Sequence, residues 1–260
     1  MAKVHFDFGG ETVLVTGASR GIGYGIAQAF ARSGASLIVL AESDDIFGAA
    51  HRLQESGPGQ VRAIKCDIAN PAAVEDAIGE AGRIDVLVNN AGLELITPLL
   101  DGSAEIQAAF RRIVEINVIG TYYVTRAVAP AMRRGGRIVF TASMWSRVAV
   151  AEFSAYCASR HATLGFMRSI AIELAPRGIR VNAVCPGWVR TDASIRSLRE
   201  MSRRSSRPES DLLEDIVSNQ VFGGLMEPDD VAPFYLYLAS DAAANMTGQA
   251  LMADRGEVMA

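Results

Sequence analysis

Short apolar runs rich in β-branched residues alternate along the chain with longer segments whose apolar residues recur at helical spacing. Each run is mostly apolar rather than strictly alternating, which is typical of parallel strands that are covered on both faces. The alternation predicts an α/β fold, a single-domain Rossmann-type doubly wound parallel sheet with helices on both faces. The seven predicted strands span residues 12–16, 36–40, 61–65, 84–88, 137–141, 180–184 and, more weakly, 249–253.

The same rhythm continues through residues 1–260 without a linker rich in Pro, Gly or Ser, so we predict one domain. The exception is the segment 191–226, which is polar, rich in Ser and Arg, and too long for a simple connection. We expect this segment to form a helical lid over a substrate site.

Composition excludes several classes of protein. A net charge of −4 leaves no basic excess for binding nucleic acid. No apolar run reaches the roughly 18 residues of a membrane-spanning helix. The three cysteines lie far apart, which fits a reduced cytoplasmic protein, and neither they nor the three histidines show metal-ligand spacing. We therefore expect a cytoplasmic protein that binds no metal, no nucleic acid and no membrane.

A glycine-rich turn, TGASRGIG, joins the first predicted strand to the first predicted helix. Glycines let the backbone turn tightly and approach a pyrophosphate group at the positive end of a helix. The spacing is GxxxGxG rather than the commoner GxGxxG of dinucleotide-binding proteins. We predict a dinucleotide site here, with phosphate contacts from Gly17, Ser19, Arg20, Gly21, Ile22 and Gly23.

The end of the second predicted strand bears on the choice of cofactor. Glu42 lies 25 residues after Gly17, close to the separation of about 20 at which an acid binds the adenosine ribose. A carboxylate accepts hydrogen bonds from the ribose hydroxyls and repels a 2′-phosphate, which favours NAD. Arg20 would pair with that phosphate, so NADP stays possible.

Further short motifs follow the later strands in a fixed order. Tyr156 comes 13 residues after Ser143. Together with TGASRGIG, the series resembles the short-chain dehydrogenase/reductase family, of the single-domain type, from about residue 11 to residue 256. The motifs that carry the resemblance are Asp67 and Ile68, Asn89, Asn90, Ala91 and Gly92, Asn117, Ser143, Tyr156, Pro186 and Gly187, and Val189 and Thr191.

The resemblance implies a sheet in the order 3-2-1-4-5-6-7 and a nicotinamide cofactor. It implies Tyr156 as the general base for alcohol oxidation or the acid for ketone reduction, and Ser143 as the group that hydrogen-bonds the substrate oxygen. Asn117 would anchor a water in the proton relay. The implied cofactor contacts beyond the glycine turn are Glu42, Asp67, Ile68, Asn89, Asn90, Ala91, Gly92, Tyr156, Arg160, Pro186, Gly187, Val189 and Thr191.

One position departs from the family, which carries Lys four residues after the Tyr, where this chain has Arg160. Lowering a phenol pKa from near 10 to about 7 requires roughly 4 kcal/mol, which a cation about 4 Å away can supply at an effective dielectric of about 20. Arg160 keeps that role, or marks a weakened site, or reflects drift in a chain with only two lysines. We expect an active enzyme, because the other three active-site residues are present.

Two carboxylates bear on the substrate. Glu94 closely follows the segment 89–92, and sugar dehydrogenases similar to this family use a Glu at this place to contact substrate hydroxyls. Glu152, four residues before Tyr156, would add a second acceptor. Both favour a sugar or polyol, and both also fit ordinary solvated loop carboxylates.

The predicted lid carries six arginines and only two acids between residues 190 and 207. Arginine grips carboxylates and phosphates bidentately, so an anionic sugar or hydroxy acid is a candidate substrate. The same charges also fit a solvated helix face or a contact between subunits. Arg147 is a second candidate clamp for an anion, and Trp145 and Trp188 are predicted to form the apolar wall of the pocket. The six lid arginines are Arg190, Arg196, Arg199, Arg203, Arg204 and Arg207.

The favoured function is an NAD-dependent oxidoreductase that transfers a hydride between the cofactor and a secondary alcohol or carbonyl of a small polar substrate. One alternative is an NADPH-dependent ketone or 3-oxoacyl reductase, which Arg20 favours and Glu42 opposes. The other is a catalytically silent nucleotide-binding regulator, which only Arg160 favours. The resemblance further implies a homotetramer, paired through the long helices that include Asn117 and Tyr156.

Overall fold

Seven strands form one continuous parallel sheet in the order β3-β2-β1-β4-β5-β6-β7. The computed structural model describes residues 5–259. The predicted Rossmann-type order is confirmed. The strands are β1 (Thr12–Thr16), β2 (Ser36–Ala41), β3 (Val61–Lys65), β4 (Val86–Asn89), β5 (Arg137–Thr141), β6 (Arg180–Pro186) and β7 (Ala250–Ala253).

Successive strand residues point into two apolar layers, one on each face of the sheet. Val13 and Val15 of β1 pack in the first layer, whereas Leu14 between them packs in the second. Helices α1, α2 and α9 cover the first layer, and α3, α5 and α6 cover the second. The helices are α1 (Gly21–Arg32), α2 (Asp45–Gln54), α3 (Pro71–Ala81), α4 (Ala104–Val114), α5 (Thr121–Val128), α6 (Ser154–Leu174), α7 (Asp192–Ser205), α8 (Glu209–Ser218) and α9 (Pro228–Ala239).

The segment predicted as a helical lid folds into α7 and α8. Leu198 of α7 and Ile216 of α8 are buried in a third apolar cluster, together with Trp145 and Trp188. This cluster holds the two helices beside the carboxyl edge of the sheet. That they open and close over a substrate remains a prediction.

Four strands, β2, β4, β6 and β7, have bounds that differ from the predicted ones, β7 by one residue at its start. β4 begins at Val86, because Asp85 instead uses its carboxylate to accept a hydrogen bond from the Thr12 N–H at 3.0 Å. β2 and β6 each continue further than expected, because Ala41 still pairs with β3 and Pro186 still pairs with β7. The longer strands extend the edge at which parallel strands present a site.

Candidate active site

A cavity of about 600 Å³ runs along the carboxyl edge of the sheet, where strands that are distant in sequence end side by side. Most of the predicted site residues line this cavity. They are Gly17, Ser19, Arg20, Gly21, Ile22, Gly23, Glu42, Asp67, Ile68, Asn90, Ala91, Gly92, Glu94, Ser143, Trp145, Tyr156, Arg160, Pro186, Gly187, Trp188, Val189 and Thr191.

The glycine turn between β1 and α1 fits a pyrophosphate group. Gly17 and Gly21 have φ angles of +66° and +58°, which glycine adopts without strain. A Cβ on Gly23 would overlap the Gly17 carbonyl oxygen. Arg20 precedes α1 without a side-chain capping bond, and the first turn carries no acid. The N–H groups at this positive helix end are therefore free to bind the phosphates of a nicotinamide cofactor.

Thr16 and Asn90 tie the glycine turn to the segment after β4. Thr16 Oγ1 accepts hydrogen bonds from the N–H groups of Asn90 and Ala91, both at 3.0 Å. Asn90 Nδ2 donates to the Thr16 carbonyl at 3.0 Å and the Gly17 carbonyl at 3.3 Å. The floor of the cofactor site is therefore fixed before any ligand binds.

The cavity end that lies beyond β2 and β3 carries two acids and an arginine that braces them. Arg112 of α4 donates from Nη2 to Asp67 Oδ2 at 2.7 Å, and the same nitrogen lies 3.8 Å from Glu42 Oε2. Burial raises the pKa of the Asp67 carboxyl, but hydrogen bonds from Arg112 and the Ala69 N–H leave that pKa below its ordinary value. Arg112 was not predicted as a site residue, because it lies far from both acids along the chain.

Asn89 does not face the cavity. Its Nδ2 donates to Thr125 Oγ1 at 2.8 Å, and the residue is buried on the face of the sheet that α5 covers. Because neighbouring residues of a strand face opposite sides, Asn90 points to the cavity and Asn89 cannot. The predicted contact between the Asn89 side chain and the cofactor is therefore corrected.

Asn117 lies in a π-helical turn, Glu115–Gly120, which interrupts the predicted long helix between α4 and α5. Its Oδ1 accepts from the Leu93 N–H at 2.7 Å, and its Nδ2 donates to the Leu93 carbonyl and Ser159 Oγ, both at 2.9 Å. These bonds occupy both amide hydrogens and fix the backbone after Gly92. The Asn117 side chain lies outside the cavity wall, and the role of this residue as a water anchor stays a prediction.

Ser143 follows β5 and faces the cavity. Its N–H donates to Ser146 Oγ at 3.1 Å, and its Oγ accepts from the Trp145 N–H at 3.2 Å. This reciprocal cap fixes the direction of the hydroxyl. Because Oγ accepts from the backbone, its own hydrogen is available to a substrate oxygen.

Tyr156 lies in the first turn of α6, and Trp145 packs edge-on against its ring with 5.9 Å between centroids. Burial raises the pKa of the Tyr156 phenol above its ordinary value, Arg160 and Ser143 lower it, and Glu94 raises it further. In the protein without cofactor, the effect of burial on this pKa therefore exceeds the opposing effect of Arg160. The positive nicotinamide ring of an oxidised cofactor would supply further stabilisation of the phenolate.

Arg160 is 6% exposed and holds a defined place in the cavity wall. Its Cζ lies 5.0 Å from the centroid of the Tyr156 ring, and its Nη1 donates to the Thr141 carbonyl at 2.9 Å. The guanidinium therefore lies over the ring face, in a cation–π arrangement. Its Nε is buried and makes no hydrogen bond within the described residues.

Glu94 places a second unpartnered polar atom in the same cavity. Oε1 of Glu94 is buried and has no hydrogen-bond partner in the described chain. Burial raises the pKa of this carboxyl, while Ser197, Arg160 and Arg196 lower it without cancelling the effect of burial. Arg196 of α7 fixes the backbone here, since its Nη2 donates to the Glu94 carbonyl at 3.0 Å.

Two predicted substrate residues lie outside the cavity. Arg147 is exposed beyond the turn that follows Ser143. Glu152 binds Arg204 of α7 bidentately, at 2.6 Å and 3.1 Å, and the hydrogen bond from Arg204 lowers the pKa of its carboxyl. Glu152 therefore ties α7 to the loop before α6, and these positions do not support the predicted contacts of Arg147 and Glu152 with the substrate.

Five of the six lid arginines are paired with acids. Arg196 differs, because it lines the cavity and its hydrogen bond goes to a backbone carbonyl. The predicted cluster of anion-binding arginines is thus reduced to one residue. The five pairs are Arg190–Glu227, Arg199–Glu209, Arg203–Glu200, Arg204–Glu152 and Arg207–Asp215, at 2.5–4.0 Å.

Other chemistries find little support in the part of the chain that the structure describes. Residues 5–259 contain no group of three His, Cys, Asp or Glu residues that could hold a metal ion. No helix within that range is long and apolar enough to cross a membrane. Burial raises the pKa of the Cys66 and Cys185 thiols to about 11, so neither is a thiolate at neutral pH.

The chain is similar in sequence to known proteins. Residues 17–257 match the family model described as Enoyl-(Acyl carrier protein) reductase. The chain belongs to the short-chain dehydrogenase/reductase family. It is 40% identical over 259 residues to oxidoreductase UcpA of Salmonella typhimurium, covering 96% of this chain and 95% of that one.

Two further relatives of this short-chain dehydrogenase/reductase carry named substrates. L-rhamnose 1-dehydrogenase (NAD(P)(+)) of Azotobacter vinelandii is 36% identical over 257 residues, covering 95% of this chain and 96% of that one. The structure of L-sorbose reductase from Gluconobacter frateurii, complexed with NADPH and L-sorbose, superposes with a TM-score of 0.89 at 26% identity, covering 99% and 100% of the chains. This chain is an NAD(P)-dependent oxidoreductase that binds a nicotinamide cofactor and a small-molecule substrate.

Proposed function

We propose that this short-chain dehydrogenase/reductase transfers a hydride between NAD and a secondary alcohol or carbonyl of a sugar or polyol. One observation carries the proposal: Ser143, Tyr156 and Arg160 line the same cavity as the phosphate-binding glycine turn. In oxidation, Ser143 holds the substrate oxygen and Tyr156 removes the hydroxyl proton, while the cofactor supplies the hydride acceptor. Arg160 keeps a fixed positive charge over the Tyr156 ring.

The acids at the end of the cavity favour NAD over NADP. Glu42 and Asp67 both line the cavity, and a carboxylate beside the adenosine ribose would repel a 2′-phosphate. Arg20, the residue that would favour NADP, lies 3.6 Å from Asp45, which partly offsets its charge. In contrast, L-sorbose reductase binds NADPH, so the preference needs a direct measurement.

Glu94 favours a hydroxylated substrate. Its buried Oε1 lacks a partner, and burying a carboxylate oxygen without a hydrogen bond is costly. A substrate hydroxyl would satisfy that atom. Two relatives named for sugars, L-rhamnose 1-dehydrogenase and L-sorbose reductase, support the same class.

Arg196 provides a positive charge at the cavity wall that an anionic substrate can bind. The residue lies at the cavity wall with one hydrogen bond to a carbonyl, whereas its helix neighbour Arg199 is paired with Glu209 outside the wall. A carboxylate on a sugar acid or hydroxy acid would bind Arg196 bidentately. The proposed class therefore includes sugar acids.

The long helices support a homotetramer. Phe110 of α4 and Tyr122 of α5 are 42% and 44% exposed, and Ile119 lies between them in the π-helical turn at 39%. Apolar side chains exposed along one run of helix are typical of protein–protein contacts. Both the tetramer and the cytoplasmic location stay predictions, which sedimentation and cell fractionation would test.

A substrate panel tests the proposed function. L-rhamnose, D-sorbitol, D-gluconate and 3-hydroxybutyrate would each be offered with NAD⁺ and with NADP⁺, and formation of the reduced nicotinamide followed by its absorbance. We expect the highest kcat/KM for a polyhydroxylated compound with NAD⁺. A second set of assays would offer a 3-oxoacyl thioester with NADPH, and turnover confined to this combination would support the reductase alternative, which Arg20 and the NADPH-bound neighbour favour.

A further inference from the structure

The position of Arg160 raises a question about the path of the proton. Tyr156 must release the proton that it takes from the substrate before the next turnover. A guanidinium has only donors and keeps its protons at any physiological pH. Arg160 can therefore stabilise charge but cannot accept the proton from Tyr156.

The other groups around Tyr156 do not offer an acceptor either. Ser143 is an alcohol with a hydrogen bond to the backbone, and the Asn117 side chain is an amide, which neither takes up nor releases a proton at neutral pH. Glu42 and Asp67 lie at the cofactor end of the cavity, and Arg112 contacts both. Of the described acids that line the cavity, this leaves Glu94 and Asp192.

Hydrogen bonds fix the backbone at Glu94 and at Leu93 just before it. The Leu93 N–H and carbonyl bond Asn117, and the Glu94 carbonyl accepts from Arg196. Two residues earlier, Gly92 lies directly against the Arg160 guanidinium. Asp192, by contrast, is exposed in the first turn of α7.

The carboxylate also has an unused oxygen. Oε1 of Glu94 is buried without a partner, and so is Nε of Arg160 in the same cavity. Two unsatisfied polar atoms of opposite character in one cavity are typical of a place where water bridges them. A bridging water would connect Glu94 to Arg160, whose guanidinium lies over the Tyr156 ring.

We propose that Glu94 is the proton relay of this enzyme, taking through pocket water the proton that Arg160 cannot accept from Tyr156. In oxidation, the substrate O–H bond breaks and its proton goes to the Tyr156 oxygen, while the hydride leaves the same carbon with its electron pair for NAD⁺. The Tyr156 O–H bond then breaks and that proton goes to a Glu94 oxygen, from which it reaches solvent at the cavity mouth. Ketone reduction follows the same path in reverse.

The charged and titratable groups that face Glu94 fit this role. Arg160 and Tyr156 lie on α6, and Arg196 and Ser197 lie on α7. Burial raises the pKa of the carboxyl, and the two arginines oppose that rise. A carboxyl with a raised pKa is a better proton acceptor at neutral pH than an ordinary glutamate.

The inference rests on the proposed function, and three variants separate the two. Glu94→Gln keeps a group that can hydrogen-bond a substrate hydroxyl but cannot carry a proton. Arg160→Lys introduces a side chain that can. In NAD⁺-dependent oxidation of the best sugar or polyol of the panel, we expect Glu94→Gln to lower kcat roughly a hundredfold with KM nearly unchanged. We also expect it to remove the acid limb of the kcat–pH profile.

The Glu94→Gln/Arg160→Lys double variant is the decisive comparison. We expect it to recover at least about tenfold of the lost kcat, because the lysine supplies a second proton acceptor. A rise in KM at constant kcat and an unchanged pH profile would show that Glu94 only binds substrate. If Glu94→Gln lowers kcat by the same factor in the native protein and in the Arg160→Lys variant, the relay is likewise overturned.

A measurement without substrate keeps the inference testable if the panel yields no turnover. The ionisation of Tyr156 would be followed in the NAD⁺ complex as the ultraviolet difference between the native protein and Tyr156→Phe. Because the Glu94 carboxylate raises the pKa of Tyr156, we expect Glu94→Gln to shift this titration to lower pH. An unchanged titration means that the two groups are uncoupled and overturns the relay, whereas absent turnover alone contradicts only the proposed function.

Discussion

The Arg160 guanidinium fills the space that a Cβ on Gly92 would occupy. A Cβ on residue 92 would overlap Nη2 of Arg160 and would lie 3.2 Å from its Cζ. The Arg160 guanidinium is therefore packed closely against the backbone of residue 92.

Gly92→Ala is expected to displace the guanidinium and reduce kcat roughly a hundredfold, since displacements of about 1 Å have effects of that size. In the Arg160→Lys background, the slimmer side chain should make the same change much less harmful, and a steady-state double-mutant cycle measures this coupling. Gly79→Ala is the matched control, because a Cβ there meets nothing within 4 Å. If Gly92→Ala lowers kcat equally in the native protein and in Arg160→Lys, residue 92 and the Arg160 guanidinium do not compete for the same space.

Gly17→Ala is expected to abolish cofactor binding. Residue 17 has a φ of +66°, and a Cβ on it would lie 2.7 Å from the Ala91 Cα. Gly10→Ala shares the positive φ, at +80°, but meets no atom within 4 Å, so it isolates the cost of backbone strain. We expect both variants to lose about 1–3 kcal/mol of unfolding free energy, with NAD⁺ affinity lost only in Gly17→Ala. Calorimetric NAD⁺ titration and urea unfolding measure the two effects.

The pairing of Arg112 with Asp67 predicts an acid-dependent contribution to stability. The pKa of Asp67 in the folded protein lies below its unfolded value. The ionised carboxylate therefore stabilises the fold above about pH 4, and this contribution is lost as the pH falls through the folded pKa. Arg112→Gln should weaken that dependence, measured as the melting temperature across the acid range. Identical acid profiles for the native protein and the variant would contradict the pairing.

Arg180 is expected to matter for stability alone. Its guanidinium donates to the carbonyls of Leu238, Ser240 and Ala243 at 2.8–2.9 Å, at the amino edge of the sheet, away from the cavity. Arg180→Ala leaves these three acceptors unpaired and should cost about 2–4 kcal/mol in urea unfolding. NAD⁺ affinity should not change in the folded variant. The exposed Arg133, changed to Ala, serves as the control.

Much of the fold could be predicted because the relevant signals are local. Apolar runs and glycine turns mark strands and helix starts within a few residues, and parallel strands must bring their ends to one edge. The π-helical turn at Asn117 has no such local signal, since it depends on packing against other elements.

The sequence predicts which residues lie near the site better than it predicts which way their side chains face. Asn89 and Asn90 are adjacent and alike, and only the strand register decides which faces the cavity. Glu152 and Arg204 form a pair across 52 positions, so the sequence alone cannot show that each occupies the other. The same reason hides Arg112 and reduces six candidate arginines to Arg196.

The most direct test of the account is turnover of the native protein beside Tyr156→Phe and Arg160→Lys, with NAD⁺ binding measured in all three. We expect the native protein to reduce NAD⁺ with a polyhydroxylated alcohol, and Tyr156→Phe to bind NAD⁺ equally well while losing turnover by at least about a hundredfold. If the native protein binds NAD⁺ without turnover and only Arg160→Lys is active, Arg160 marks a silent site and the account is contradicted.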